Sequence, residues 1–493
     1  MHSKSDRQLG RVTIRFWLAV ITCTLAVGFI GSSTACKRIS TVKTLVNLPE
    51  PSGRNVIVQM FNWPFVEITK VLPRLKSLGY SHVHISPPQR SNERVWQWWG
   101  RYQPIDFSVI AGPLGSEAEF LAMNQEADRQ DIKIIVDVVV NHMVSVRADE
   151  IPDPDFVVFQ GDNIVSEKFP QFDPGHFHRR CDIHDDINSI RACWLSGELT
   201  DLRTESDYVR QVAREYLQRL VALGVDGFRF DAAKHIEPEF FPAVLGAVPN
   251  TYSFSEIITS DPQSLPQINE MDFYDFPLAA TLKSAFGLGG DLDLLKNPAV
   301  NYRALPGPKA VTFVRNHDID RGQANDRGLV DHESQKMFGI GWNGPDSPLA
   351  EADILLSYAY ILGREDGLPY IFTDMPGDSH PDKRRDAYDD PMLTSFIRFH
   401  NLCLPGQDGV ARREDVLLNL PSTNAIGWQR GRDRLILINK ATEPLALRDF
   451  DTTLRPGRYV EVHRGWPLDV QGDGSIHKWD VPGQTAVMFV LTP

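Results

Sequence analysis

The sequence predicts an α/β protein: a closed (β/α)8 barrel with a small insertion after its third strand and an all-β sandwich domain at the C-terminal end. Three observations predict it. From about residue 55, short apolar runs alternate with amphipathic helical segments, the pattern of parallel βα units. Eight such runs occur, at 56–61, 82–86, 134–140, 227–230, 251–254, 271–276, 310–314 and 368–372, and eight favour a closed barrel over an open sheet. Four of them carry an acid in or just after their C-terminal half, where a barrel presents its chemistry: Asp137, Asp231, Glu256 and Asp318.

The helices between the runs have their own signals. Residues 65–78 place Val66, Ile68, Val71, Leu72, Leu75 and Leu78 largely on one face. Ser116 with Glu119 forms a capping box that opens the next helix, through Ala127. Residues 208–223 repeat the amphipathic pattern, and Gly224 stops it. The rhythm breaks twice. Residues 143–205, rich in Asp, His and Pro, form an excursion too long for a connecting loop and read as a functional insertion. After about residue 405 the helical signal gives way to short strands at 416–420, 425–429, 435–439, 459–462 and 486–491. The expected organisation is therefore a barrel over 50–142 and 206–405, an inserted domain over 143–205, and a C-terminal β-sandwich over 406–493.

The formal net charge of -13 disfavours nucleic acid and anionic membrane surfaces as partners and leaves a neutral polar substrate compatible. Residues 1–36 read as an export signal: Lys4, Arg7, Arg11 and Arg15 lead an apolar stretch that ends at Ser33-Thr34-Ala35. The apolar stretch is short for a membrane span, so no integral span is expected in the mature chain. Cys36 directly after the small residues raises a lipid anchor, although Ser33 stands where such a signal usually has Leu. Export makes disulfides available, and Cys181 and Cys193 are expected to pair across a short loop. Cys403, after an apolar helical stretch, is expected to be a buried thiol.

Retaining glycoside hydrolysis needs a carboxylate nucleophile and a second carboxyl that serves as acid and then base, about 5–5.5 Å apart. Asp231 and Glu256, on successive strands, would meet that requirement, and Arg229, two residues before Asp231 on the same strand face, would favour its ionised form. Glu256 would begin protonated, in drier or more acidic surroundings. Asp318 would stabilise the cationic transition state. Each acid alone reads equally well as a loop cap or a salt-bridge partner; the three together do not.

These runs resemble the alpha-amylases of the retaining alpha-glucoside hydrolase family, in its animal-type branch and the bacterial relatives of that branch. The matching segments are Asp137-Val138-Val139-Val140-Asn141-His142, Gly227 through His235, Phe254-Ser255-Glu256 and Asn316-His317-Asp318. Ile85-Ser86-Pro87-Pro88 and Trp98-Trp99-Gly100-Arg101-Tyr102-Gln103-Pro104 add to them. The resemblance covers roughly residues 55–490. It implies endo-hydrolysis of α-1,4 bonds in starch- or glycogen-like glucans, with Asp231 as nucleophile, Glu256 as acid/base and Asp318 as stabiliser. Trp98, Trp99, Tyr102 and Gln103 would meet sugar rings, although aromatic clusters also fill cores. His142 and His317 would bond sugar hydroxyls, Lys234 and His235 would line the leaving-group side, and Asp137 and Arg229 would orient the nucleophile.

The resemblance also implies a structural Ca2+, held by the side chains of Asn141 and Asp201 and the backbone carbonyls of Arg191 and His235; the Cys181–Cys193 pair matches a family disulfide beside it. Animal-type members bind chloride through an arginine, an asparagine and a further basic residue. Arg229 and Asn316 stand at the first two positions, but Asp374 stands at the third and would repel the anion, so chloride is not expected. The loop at 324–350 also lacks the family's glycine-rich run. Within enzymes the alternative is a transglycosylase or an exo-acting malto-oligosaccharide hydrolase on the same scaffold. A non-catalytic glycan-binding or membrane-partner subunit would be expected to lack one of the three acids.

Overall fold

Eight parallel strands close into a barrel in the computed structural model, each following a stretch of chain whose apolar residues face helices outside it. The structure describes residues 51–493 apart from 52, 94, 96, 146–156, 161–162, 168, 322–350, 375–387, 406–414 and 493. The expected export signal, with Cys36, and the loop at 324–350 lie outside the described residues.

The strands are β1 (Ile57–Phe61), β2 (His82–Ile85), β3 (Lys133–Val138), β4 (Gly227–Phe230), β5 (Tyr252–Ser255), β6 (Asp272–Tyr274), β7 (Ala310–Phe313) and β8 (Leu368–Asp374). They pair in chain order and close through β1 and β8. All eight correspond to the runs read from the sequence. Around them stand α1 (Phe65–Leu78), α2 (Glu117–Arg129), α3 (Ile187–Ala192, in the insertion), α4 (Asp207–Ala222), α5 (Phe240–Leu245), α6 (Phe276–Phe286), α7 (His317–Arg321), α8 (Glu351–Gly363) and α9 (Pro391–Leu402). The Ser116–Glu119 capping box opens α2, and Gly224 follows α4 with φ +98°, in the left-handed region that ends helices. One expectation fails in detail: Val66 of α1 is 39% exposed, because it sits on the solvent edge of a face centred on Phe65, Ile68, Leu72 and Leu75.

Strand alternation divides the core in two. Ile134, Val136 and Val138 of β3 and Phe228 and Phe230 of β4 join the large outer cluster between barrel and helices. Ile57, Ile135, Phe254, Tyr274, Val311, Phe313 and Tyr370 fill the barrel interior. Gly227 opens β4 because a Cβ there would lie 2.6 Å from the Tyr252 carbonyl oxygen of β5.

The connections after β2 and β3 are elaborated. Gln89–Ser91, Pro104–Gly112 and Gly115–Ser116 form a three-stranded sheet around a 3-10 turn, Trp98–Tyr102, that sequence periodicity did not disclose. In the insertion, His142–Ser145 pairs antiparallel with Leu199–Asp201, and Cys181 and Cys193 form the expected disulfide. Cys403 is buried at the end of α9.

At the C-terminal end lie β9 (Asp415–Leu417), β10 (Ala425–Arg430), β11 (Arg434–Asn439), β12 (Leu445–Phe450), β13 (Gly457–Glu461), β14 (Pro467–Val470), β15 (Ile476–Val481) and β16 (Thr485–Leu491). Six make one antiparallel sheet, β9-β10-β11-β16-β13-β14, and β12 pairs with β15 as a separate ribbon. Alternation again sorts the side chains. Leu435, Leu437, Val487 and Phe489 pack with Leu447, Ile476 and Val481 of the ribbon. Ile436, Ile438, Met488 and Val490 join the barrel's outer cluster. β12, β14 and β15 were not foreseen, because β12 and β14 each bury a residue or two among exposed ones and β15 buries only its ends.

Candidate active site

Parity along the strands brings the acids together. Asp137 of β3 lies opposite Arg229 of β4 in register, and both point into the barrel. Arg229 is fully buried and donates from Nη1 to Asp137 Oδ1 at 2.7 Å and to Asp231 Oδ1 at 2.8 Å. Its Nη2 lies 2.7 Å from Glu256 Oε1. One guanidinium therefore holds three carboxyl groups from three adjacent strand ends. Tyr102 donates to the other oxygen of Asp137 at 2.8 Å. Directly after Asp231 the backbone turns through a left-handed residue, Ala232 with φ 48°, whose N–H donates to Glu256 Oε2 at 3.2 Å. A non-glycine residue held there is local strain kept by its surroundings.

Asp318, at the start of α7, hydrogen-bonds Glu256 and completes a set of four buried carboxyls around one permanent positive charge. Burial raises all four above the ordinary carboxylate range, and Arg229 opposes it in each; Asp137 is raised to about 7. The Glu256–Asp318 hydrogen bond needs a proton on one partner. Arg229 contacts Glu256 directly, burial raises both carboxyls, and Asp318 is raised well above the usual range by burial and then by Glu256, so the pair shares that proton.

His317 stacks on Phe61 with ring centroids 4.5 Å apart and on Tyr102 at 5.2 Å. Its Nδ1 accepts from Gln59 Nε2 at 3.1 Å, which leaves the proton on Nε2, 3.5 Å from Asp318 Oδ1. Trp98 is 1% exposed in an edge-on cluster with Phe61, Trp99, Tyr102 and His317, so its ring belongs to the core; Trp99 beside it keeps some open surface. Gln103 is buried too, its oxygen accepting from Asn92 Nδ2 and the Ser145 N–H. His142 is buried with its pKa lowered to about 4 by desolvation; Nε2 donates to the Tyr102 carbonyl at 3.0 Å and Nδ1 lies against Asn141. Through these bonds Gln103 and His142 brace the loop that carries Trp99. Lys234 and His235 follow Asp231 on a 3-10 turn, Lys234 half-buried and His235 bonded through Nδ1 to the Ile190 carbonyl at 2.8 Å.

Residues 66–273 match the family model for the alpha-amylase catalytic domain. An alpha-amylase of Aeromonas hydrophila is 29% identical over 394 residues, 70% of this chain and 77% of that protein. One from the beetle Tenebrio molitor is 32% identical over 296 residues, 55% of this chain and 60% of the beetle protein. The chain is similar to alpha-amylases in its catalytic segment. The fold agrees with earthworm alpha-amylase I from Eisenia fetida at TM-score 0.72 and 22% identity, over 90% of this chain and 99% of that one. A glutamate-to-glutamine variant of the earthworm enzyme, solved with maltohexaose, superposes at TM-score 0.71. These matches indicate a glycoside hydrolase.

The residues expected to hold a cation fall into two contacting pairs of segments. Asp201 pairs in register with His142, and the Leu202 N–H donates to the Asn141 carbonyl at 2.9 Å. Asn141 Nδ2 lies 3.3 Å from Asp201 Oδ1, while Asn141 Oδ1 is buried with no hydrogen-bond partner. The His235–Ile190 bond ties the turn of His235 to α3, which carries Arg191. Burial raises Asp201 to about 7 against the pull of His178, whose Nδ1 donates to its other oxygen at 2.7 Å. An orphaned acceptor beside a buried carboxylate fits a hard cation. Among the described residues no group of three or more His, Cys, Asp or Glu could hold a metal, so such a site would rest on amide and backbone oxygens with Asp201.

Sequence reading missed the floor of the site. His84 of β2 bonds Tyr370 through Nδ1 at 2.8 Å and lies 3.7 Å from Asp137, and the Arg229 guanidinium sits over the Tyr274 ring at 5.7 Å. Gln59 holds His317 from β1. The available signal was a polar residue interrupting an otherwise apolar strand, as Gln59 and His84 do.

Proposed function

We propose that this protein is an exported alpha-amylase that hydrolyses internal α-1,4 bonds of starch- or glycogen-like glucans with retention at the anomeric carbon. The observation that carries the reading is the convergence of Asp231, Glu256 and Asp318 on one buried arginine, in a chain similar to alpha-amylases in its catalytic segment. Asp231 and Glu256 contact the two ends of the same guanidinium. That is consistent with the short carboxyl spacing of retaining enzymes, about 5–5.5 Å, rather than the gap of about 6.5–9.5 Å that leaves room for a water.

Asp231 attacks the anomeric carbon while Glu256 protonates the departing oxygen, and a glycosyl ester forms on Asp231. Glu256 then takes a proton from water, which releases the sugar. With the glucan bound, Glu256 holds the proton it shares with Asp318, and Asp318 stands ionised against the cationic sugar. Arg229 and Asp137 hold Asp231 in line, His317 donates from Nε2 towards Asp318 or a sugar hydroxyl, and Trp99 offers a stacking surface.

Asn141, Asp201 and the carbonyls of Arg191 and His235 would hold Ca2+, which supplies structural cross-bracing between barrel and insertion. Arg229 Nε and Asn316 Nδ2 are buried donors with no hydrogen-bond partner among the described residues. A water satisfies them as well as an anion does, and four carboxyls around one guanidinium disfavour an anion, so chloride stays outside the reading. The disulfide suits an oxidising compartment.

The test is reducing-end release from soluble starch by the parent and by Glu256→Gln. Loss of the acid/base should cost about 10²–10⁴-fold in rate. Equal rates in both proteins would remove Glu256 from the mechanism, and an inactive, folded parent would point to a glycan-binding subunit.

A further inference from the structure

Gln59 is a fully buried polar residue in an otherwise apolar strand, Ile57-Val58-Gln59-Met60-Phe61. Strand parity turns it into the barrel with Ile57, while Val58 and Met60 join the outer cluster. An amide withdrawn from water is retained only where it finds partners. Its oxygen has none among the described residues, and its Nε2 donates to His317 Nδ1 at 3.1 Å. The use of Gln59 therefore lies in the imidazole.

Neighbours already fix the plane of that ring. Phe61 and Tyr102 sandwich it, 13° and 19° from parallel, and Trp98 stands edge-on at 5.6 Å. What the sandwich leaves open is which nitrogen carries the proton. A ring that accepts at Nδ1 carries it on Nε2, which faces Asp318 Oδ1 at 3.5 Å. A donor facing a carboxyl favours its ionised form. The opposite tautomer would turn a lone pair to Asp318 and favour the protonated acid, leaving Glu256 ionised with no proton to give. Asp318 and Glu256 share one proton, so whatever favours ionisation of Asp318 leaves that proton on Glu256.

We propose that Gln59 is a positioning residue for general acid catalysis: by holding His317 with its N–H towards Asp318, it keeps the shared proton on Glu256, which gives it to the departing oxygen as the glycosidic bond breaks. This rests on the alpha-amylase reading above.

The experiment compares kcat/KM of the parent and Gln59→Leu, checked for native circular dichroism, on maltohexaose and on α-maltotriosyl fluoride. A departing sugar needs a proton. Fluoride leaves without one, and either placement of the shared proton keeps one carboxylate beside the cationic sugar. A lock worth about one pKa unit redistributes that proton about tenfold, so Gln59→Leu should lose about tenfold on maltohexaose, in kcat rather than KM, and at most about threefold on the fluoride. Equal losses on both substrates, or no loss on maltohexaose, would overturn the proposal. So would a further tenfold loss when Gln59→Leu is added to His317→Phe, which keeps a stacked ring but has no proton to place. If Gln59→Leu does not fold, Gln59→Met, unbranched like glutamine, replaces it in every arm. A parent inactive on both substrates sinks the enzyme reading instead. Gln59 is then judged by nitrogen NMR of ring-labelled histidine, with His317 identified by its loss in His317→Phe. A single Nε2–H tautomer in the parent and a mixture in Gln59→Leu supports the proposal, and the same tautomer in both overturns it.

Discussion

Replacing Arg229 by Met should destabilise the protein in a way that depends on pH. The guanidinium is fully buried and touches Asp137, Asp231 and Glu256 within 2.8 Å. Methionine fills comparable space and offers no charge, so three buried carboxyls lose their counter-ion. Breaking a buried ion pair from one side costs about 3–5 kcal/mol. That cost applies only while the carboxyls are ionised. Burial already holds Asp137 at about 7 with the arginine present, and the arginine is what opposes a further rise in all four acids. A carboxyl whose folded pKa is raised lends stability at low pH and loses it as pH climbs through the folded value. Removing Arg229 raises those values again, so the penalty should be greatest near pH 7 and should fall to about half or less by pH 5, where the acids are protonated in the fold. Urea unfolding followed by tryptophan fluorescence at the two pH values measures it. A loss below about 1 kcal/mol at pH 7, or an equal loss at both, would refute the counter-ion role. Arg229→Lys, which keeps charge at a single point, should fall between Met and the parent, because one ammonium cannot span the two sides that Nη1 and Nη2 reach.

Asp275 caps α6, its Oδ1 accepting the N–H groups of Leu278 and Leu305, and burial raises it to about 7. Asp275→Asn keeps the acceptor without the charge, so it should cancel a stability loss of as much as about 4 kcal/mol that the parent suffers between pH 4 and 7; parallel pH–stability curves would contradict this. Lys440 donates to the Ala285 and Gly290 carbonyls at 2.7 and 2.6 Å, joining the C-terminal sheet to the end of α6. Lys440→Met should cost about 1–2 kcal/mol in unfolding free energy, and no change would show that water replaces it fully. The Cys181–Cys193 bridge spans 12 residues, so its removal by Cys181→Ser with Cys193→Ser should cost about 3 kcal/mol, read as earlier proteolysis of the insertion. Calcium titrated into chelator-treated protein should raise the melting temperature, and Asp201→Asn should abolish the rise; an equal rise in both would move the cation elsewhere.

The barrel was legible because its strands are buried on both sides. A continuous apolar run of four to seven residues can hardly be anything but core, and each of the eight became a strand. The acids were legible for a related reason: an acid at the end of such a run must either find a partner or do work. The ribbon strands of the C-terminal part were hidden because burial there falls on isolated residues, such as Leu447 in β12. The floor of the site was hidden because Gln59, His84, Tyr274 and Tyr370 come from four strands and acquire meaning only when barrel closure makes them neighbours.

Local patterns of apolar spacing, capping and turn chemistry let the sequence by itself locate the eight barrel strands, the helices α1, α2 and α4 and the Cys181–Cys193 pair, and mark Asp137, Asp231, Glu256 and Asp318 as candidate acids. Tertiary structure alone decided the state and use of those groups. It placed Asp137, Asp231 and Glu256 on one arginine, brought Asp318 against Glu256 so that the two share a proton, and buried Trp98, Gln103 and His142. Protonation and exposure depend on the sum of charges and atoms that closure of the barrel brings within a few ångströms, and residues distant in the chain set that sum.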